Sequence, residues 1–215
     1  MGYPLGVVGE SGPGGVSGSR WLGTEAIVGR HAGPGTRTEP LVFGMALFLA
    51  SEAMFFGALL SAYYFLRSET ATWPPAGLRI DAIEPAIATL VLLASSGSAA
   101  LAERAAANAD ARRLRSWTAA TLALGAVFVA SQARTWLTDG FGIRSRAYGT
   151  IVYAMTGFHV MHVTAGLAVF LTVLAPASRA AARGERSAAL TAATYYWHFV
   201  DVVWVVLFST IYLVR

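Results

Sequence analysis

Five long apolar runs, at residues 41–66, 83–101, 117–137, 148–174 and 190–213, set the pattern of this chain, and its charged residues gather mostly between them. A helix needs about 20 apolar residues to cross roughly 30 Å of hydrocarbon, and each run is close to that length or beyond it. The spacing predicts an all-α integral membrane protein: a bundle of five transmembrane helices with its termini on opposite sides of the bilayer.

The segments outside the runs refine this picture. Residues 1–39 are rich in Gly with interspersed Ser and Pro, and they lack the apolar core of a secretory signal. They read as a flexible cytoplasmic arm ahead of a single membrane domain at 40–215. Within the arm, Gly9-Glu10-Ser11-Gly12-Pro13-Gly14-Gly15 has the glycines of a phosphate loop, but no Lys to reach a phosphate and no preceding strand. Trp73-Pro74-Pro75 closes the first run, since Pro cannot continue a helix and Trp suits the membrane interface, and it marks a short extracytoplasmic loop. Ala94-Ser95-Ser96-Gly97-Ser98-Ala99-Ala100 is a small-residue stretch that lets a neighbouring backbone approach closely, which makes it a packing surface rather than a site. No internal repeat is visible, and the paired Gly-Pro interruptions of an inverted-repeat transporter are missing.

Composition then narrows the class. With 215 residues, 55% of them hydrophobic and 13% charged, the chain is too apolar for an ordinary soluble domain and too short for several domains. The absence of Cys removes disulfides, thiolate metal sites and thiol catalysis together. Every basic side chain is Arg rather than Lys, and the arginines lie between apolar spans, a pattern that argues against nucleic-acid binding. One side of the membrane would hold Arg20, Arg30, Arg37, Arg104, Arg112, Arg113, Arg115, Arg179, Arg183 and Arg186, the other Arg67, Arg79, Arg144, Arg146 and Arg215. Cytoplasmic loops collect basic residues, so the N-terminus is expected in the cytoplasm and the C-terminus outside. Arg112, Arg113 and Arg115 can also meet anionic headgroups, at about 1 kcal/mol each. Tyr63, Tyr64, Trp117, Tyr148, Tyr195, Tyr196 and Tyr212 fit an aromatic belt.

Against that apolar background, a few ionisable residues stand out. Glu52 lies near the middle of the first run and Asp201 near the middle of the fifth. An acidic group such as Asp at a helix centre costs about 2.5–3.5 kcal/mol on insertion scales, so each should face protein and either pair or stay protonated. His159 and His162 are three apart in the fourth run, as are His198 and Asp201 in the fifth, which puts each couple on one helix face. If these faces converge, two carboxyls and up to three imidazoles form one buried cluster. Such a cluster can satisfy itself and fix helix packing, or relay protons; a metal or haem site is less favoured, because the Glu-x-x-His motif of carboxylate-bridged metals is absent. Gln132, Arg134 and Trp136 read as anchoring near the end of the third run. His31, in the polar arm, reads as solvated.

Three of these segments occur in a telling order: Leu49-Ala50-Ser51-Glu52-Ala53-Met54-Phe55-Phe56, then Thr156-Gly157-Phe158-His159 with His162 and Gly166, then Trp197-His198-Phe199-Val200-Asp201-Val202-Val203-Trp204. Taken together they resemble subunit III of the haem-copper oxidases, best known from cytochrome c oxidase, with weaker echoes at Trp73-Pro74-Pro75, Gln132 and Tyr148-Gly149-Thr150. The chain is similar to the five-helix form, which lacks the first two helices of the seven-helix form and with them one arm of a lipid-filled cleft. The family usually carries an acidic residue three positions after the Gln, where this chain has Thr135.

The resemblance implies a non-redox subunit that binds no metal, docked directly on the subunit I that holds haem and copper, beside subunit II and other oxidase subunits. It implies a multi-pass protein of a bacterial-type inner membrane, serving aerobic respiration from cytochrome c to oxygen by supporting subunit I stability, proton uptake and phospholipid binding. Quinol-oxidase and nitric-oxide-reductase-associated relatives are alternatives, and a stand-alone proton-coupled transporter is the alternative of a different class. Glu52 matches the family's carbodiimide-reactive glutamate, and His159, His162, His198 and Asp201 match its other buried polar positions. Trp73, Arg112, Arg113, Arg115, Trp197 and Trp204 are the candidates for contact with lipid and the interface.

Overall fold

A computed structural model describes residues 38–75, 82–138 and 146–214. Residues 1–37, with the glycine-rich stretch, Arg20, Arg30, His31 and Arg37, lie outside the described residues, as do Arg79, Arg144 and Arg215. Five helices carry the described chain: α1 Thr38–Ser68, α2 Ile83–Ala107, α3 Ala111–Thr138, α4 Arg146–Ala182 and α5 Ala188–Phe208, the last running into a π-helical turn at Ser209–Leu213. All five are long and apolar enough to cross a membrane.

The helices outrun the apolar runs that announce them. α2 continues to Ala107 through Glu103 and Arg104, α3 starts six residues before Trp117, and α4, with 37 residues, extends past Leu174 and through Pro176 to Ala182. At 1.5 Å per residue α4 is about 55 Å long, well over the hydrocarbon thickness. A helix stops where its backbone is capped, not where hydropathy falls, and the polar ends here still form good helix.

The caps at one end of the bundle share one geometry. After α4, Glu185 N–H donates to the Ala180 carbonyl and Gly184 N–H to that of Ala181, a Schellman turn with Gly184 at φ 73°. After α2, Asp110 N–H donates to Ala105 and Ala109 N–H to Ala106, the same turn with Ala109 at φ 57°. Asp110 then caps α3 through Arg113 N–H at 2.9 Å, and Ser187 caps α5 through Leu190 N–H at 3.3 Å. The hydrogen bond from Arg183, together with its charge, holds the exposed Glu185 carboxyl below the usual carboxylate range. Ala109 carries the Cβ penalty that Gly184 avoids. Ala109→Gly is therefore expected to stabilise the protein by about 0.5–1 kcal/mol, read as a higher thermal midpoint in detergent; an unchanged or lower midpoint would contradict the strain assigned to this turn.

α4 and α5 form the middle of the bundle, with α1 packed against that pair on one side and α2 and α3 on the other. α5 is the most enclosed helix and α1 the least, with Phe43, Met54 and Phe65 among its exposed side chains. At the far end α1 closes onto α5: Arg67 Nη1 donates to the Val214 carbonyl at 2.8 Å, and Tyr63 Oη donates to Thr210 O at 3.4 Å. Trp73 then donates from Nε1 to Tyr63 Oη at 2.9 Å and meets Tyr148 edge-on, pinning the loop after α1 to α1 and α4.

Two expectations change here. Trp197 and Trp204, candidates for lipid contact, are both 0% exposed. Each indole turns inward because α2 offers its N–H an acceptor: Trp197 Nε1 donates to Ser95 Oγ at 3.1 Å and Trp204 Nε1 to Thr89 Oγ1 at 2.9 Å. The aromatic belt also divides. Tyr64, Trp117 and Tyr195 are exposed, whereas Tyr63, Tyr148, Tyr196 and Tyr212 are buried within the bundle.

Candidate functional site

Glu52 on α1 and His162 on α4 meet directly, Oε2 to Nε2 at 2.9 Å, with side chains 20% and 11% exposed. His162 Nδ1 lies 2.6 Å from the Phe158 carbonyl. A carbonyl only accepts, so Nδ1 carries a proton. One further proton then lies between Nε2 and Oε2, and the pair is either carboxylic acid with neutral imidazole or carboxylate with imidazolium. Both forms are neutral overall, which is how an acid and a base can occupy a membrane helix pair at tolerable cost. Phe55 and Phe56 flank the imidazole, and Tyr196 Oη donates to the His162 carbonyl at 2.9 Å, so α5 holds the backbone on which this pair is built.

The other three candidates lie elsewhere. His198 Nδ1 is 2.6 Å from Ser96 Oγ, joining α5 to α2. Asp201, one turn further along α5 and 3% exposed, lies beside the same Ser96, yet neither carboxyl oxygen closes a hydrogen bond among the described residues. His159 is fully buried, its ring stacked on Trp204 at 4.9 Å with Phe128 and Phe56 at its edges, and neither ring nitrogen has a hydrogen-bond partner among the described residues. The single converging cluster expected from the spacing thus resolves into two separate pairings with an aromatic-caged imidazole between them. Phe56 packs edge-on against both His159 and His162. Among the described residues, no group of three or more His, Asp or Glu has an arrangement that could hold a metal ion.

The third-run residues divide as well. Gln132 is 1% exposed, inside the bundle rather than at its interface, and Thr135 Oγ1 donates back to Ser131 O. Arg134 reaches outward as expected for a snorkelling side chain, but its Nε also approaches Glu84 Oε1 at 3.6 Å, tying the end of α3 to the start of α2. Trp136 packs on Tyr153 and donates to Thr156 at 3.3 Å. Arg112, Arg113 and Arg115 are exposed, with Arg113 paired to Asp110.

The arrangement that joins these motifs in three dimensions also has a counterpart in sequence: the family model described as cytochrome c oxidase subunit III matches residues 19–214. This chain belongs to the cytochrome c oxidase subunit III family. It is 38% identical over 173 residues to "Cytochrome c oxidase subunit 3" of Thermostichus vulcanus, covering 80% of this chain and 86% of the relative. It is likewise 38% identical over 183 residues to "Probable cytochrome c oxidase subunit 3" of Mycobacterium tuberculosis (strain ATCC 25618 / H37Rv), at 83% and 90% coverage. A Synechocystis relative, "Cytochrome c oxidase subunit 3", is 36% identical over 188 residues, at 86% and 78% coverage. As a member of this family the chain is an accessory subunit of a haem-copper oxidase, an oxidoreductase complex.

In this subunit III, the residues that sequence reasoning passed over lie on α2. The small-residue stretch is a packing surface, but its hydroxyls also bind: Ser95 accepts from Trp197, Ser96 engages His198, and Ser98 Oγ lies 2.7 Å from Thr121 Oγ1 on α3. A signal was present. Trp197 and Trp204 are seven apart on α5, and Ser95 and Thr89 are six apart on antiparallel α2, so the two donors and two acceptors match in register. Ser96→Ala removes the partner of His198 and the neighbour of Asp201, and is expected to cost about 1–3 kcal/mol of stability in the solubilised complex. Unchanged thermal stability would show that this hydroxyl does not hold the pair.

Proposed function

We propose that this subunit III docks directly on the subunit I that carries haem and copper, and that it supports subunit I stability and proton uptake without doing redox chemistry itself. The observation that carries this reading is the Glu52–His162 pair. Between its two heavy atoms it holds one shared proton, whose transfer between Oε2 and Nε2 leaves the net charge of the pair unchanged. The pair sits at the edge of the bundle, partly exposed, where protons can be exchanged with a neighbour rather than sealed in the core. Cytochrome c is the proposed electron donor to the complex, in keeping with the names of the relatives, in preference to quinol or a nitric-oxide-reductase association. Membership of an oxidase-subunit family leaves a stand-alone proton-coupled transporter without support. The complex would lie in a bacterial inner membrane with the basic loops of this chain on the cytoplasmic side.

The test is sustained turnover. Assembled complexes carrying Glu52→Gln are expected to begin oxygen consumption near the wild-type rate and to lose activity several-fold sooner as turnovers accumulate. A purely structural pair would give identical lifetimes once assembled, and that result would overturn the proton-support role. Oxidation of reduced cytochrome c against quinol by the same preparation decides the donor.

A further inference from the structure

We propose that Asp201 is a proton-binding site of this subunit, loaded from a vestibule between α2 and α5 through His198 and Ser96. It shares no residue with the Glu52–His162 pair, which joins α1 to α4, so the two sites stand or fall separately.

The vestibule has a volume of about 410 Å³ and opens where α2 ends and α5 begins. The charged residues that line it are Glu103, Arg104 and Arg186. Its α2 wall reaches inward to Ala100, about one turn from Ser96, and its α5 wall to Thr191, about two turns from His198. Because the two helices are antiparallel, descending residue numbers on α2 and ascending ones on α5 lead the same way into the membrane. Glu103 lies within electrostatic reach of the half-buried His198, whose Nδ1 is 2.6 Å from Ser96 Oγ. Asp201, one turn deeper on α5 and 3% exposed, lies beside that same hydroxyl.

Helix packing alone accounts for the Ser96–His198 contact but not for Asp201, neither of whose carboxyl oxygens closes a hydrogen bond among the described residues. A carboxylate at this depth is tolerated only when donors satisfy it or a proton neutralises it. The residues beside it supply the route. A proton delivered from the vestibule to His198 Nε2 lets Nδ1 pass its own proton to Ser96 Oγ, while the hydroxyl hydrogen moves to the Asp201 carboxylate. Only N–H and O–H bonds change: His198 ends as neutral imidazole with Nδ1 accepting from Ser96, and one positive charge has moved inward to cancel the carboxylate. His198 faces Glu103 and Ser96 from α2, Asp201 faces Ser96, and Arg104 and Arg186 stand with Glu103 at the mouth.

The assembled oxidase is purified through a tag on this chain, and its carboxylic-acid infrared bands are followed as the buffer is switched from H2O to D2O. The wild type is expected to show a band that Asp201→Asn removes and Glu52→Gln leaves in place, and this band should move to lower frequency as deuterium reaches the acid. In His198→Phe the band is expected to remain while its deuterium shift is lost over the interval in which the wild type exchanges. Where His198→Phe does not assemble, His198→Gln takes its place with the same expectation, since an amide can still bond Ser96 but does not pass a proton through. The absence of any band assigned by Asp201→Asn, or exchange at the wild-type pace in the His198 variant, would overturn the site and leave Ser96, His198 and Asp201 a packing contact. Neither result touches the Glu52–His162 pair, which turnover lifetime reads separately.

Discussion

Subunit III carrying Glu52→Lys is expected to fail to accumulate with its oxidase, while Glu52→Gln assembles normally. The wild-type contact needs a proton between Glu52 Oε2 and His162 Nε2, with His162 Nδ1 already given to the Phe158 carbonyl. Glutamine satisfies this geometry, because its amide N–H donates to the imidazole lone pair and the shape is kept; the cost is that of exchanging one hydrogen bond for another, within about 1 kcal/mol. Lysine offers the imidazole a cation and cannot supply a counter-charge, leaving an unpaired ammonium between α1 and α4 in the apolar zone. Breaking a fully buried pair costs about 3–5 kcal/mol, and this part-buried pair a share of that, which is still large against the margin of a small domain. The effect falls on α1, which has few other anchors along its length. Measured as the ratio of subunit III to subunit I in purified complex, the lysine variant should be nearly absent and the glutamine variant near wild type. Equal incorporation of both would place Glu52 outside the packed contact.

Substitutions around Trp197 are expected to be as damaging, and to be coupled. The indole is fully buried, donates to Ser95 on α2, and lies against Gly125 of α3 and Gly166 of α4, so one side chain of α5 touches three other helices. A Cβ on Gly166 would stand 2.8 Å from Trp197 Cε3 and 3.1 Å from Tyr196 Cε1, both atoms of rigid rings. A Cβ on Gly125 would stand 2.7 Å from Leu167 Cδ2, which can rotate away, and 2.9 Å from the indole, which cannot. Gly166→Ala should therefore cost about 1–3 kcal/mol by overpacking and Trp197→Ala about 3–5 kcal/mol by cavity formation. Gly166→Ala combined with Trp197→Phe should be less destabilised than the sum of the two changes, since the smaller ring vacates the space that the methyl needs. Thermal unfolding of the four proteins measures this directly; strict additivity would show that the glycine does not serve the indole.

The fold was readable from the chain because hydrocarbon imposes a length on each apolar run, and five such runs leave few arrangements. Their ends were not readable in the same way, because α2, α3 and α4 carry on through Glu103, Arg112 and Arg179 until a Schellman turn or a side-chain cap stops them. The candidate site was half legible. Spacing alone put His159 and His162 on one face, but what each imidazole meets is set by the neighbouring helices, Glu52 for His162 and the Trp204, Phe128 and Phe56 rings for His159, and spacing carries no such information. Trp197 and Trp204 misled for a related reason. An indole suits the lipid interface and the interior equally, and the choice was made by two hydroxyls on α2 that read as small residues until their register against α5 was known.

The most direct test of the account is to purify this chain by affinity in mild detergent and record the reduced-minus-oxidised absorbance spectrum and oxygen consumption of the eluate. A haem spectrum from a co-purifying subunit I, with oxygen consumed when reduced cytochrome c is supplied, is the predicted result. A chain that elutes alone, without haem and without oxygen consumption, would contradict it.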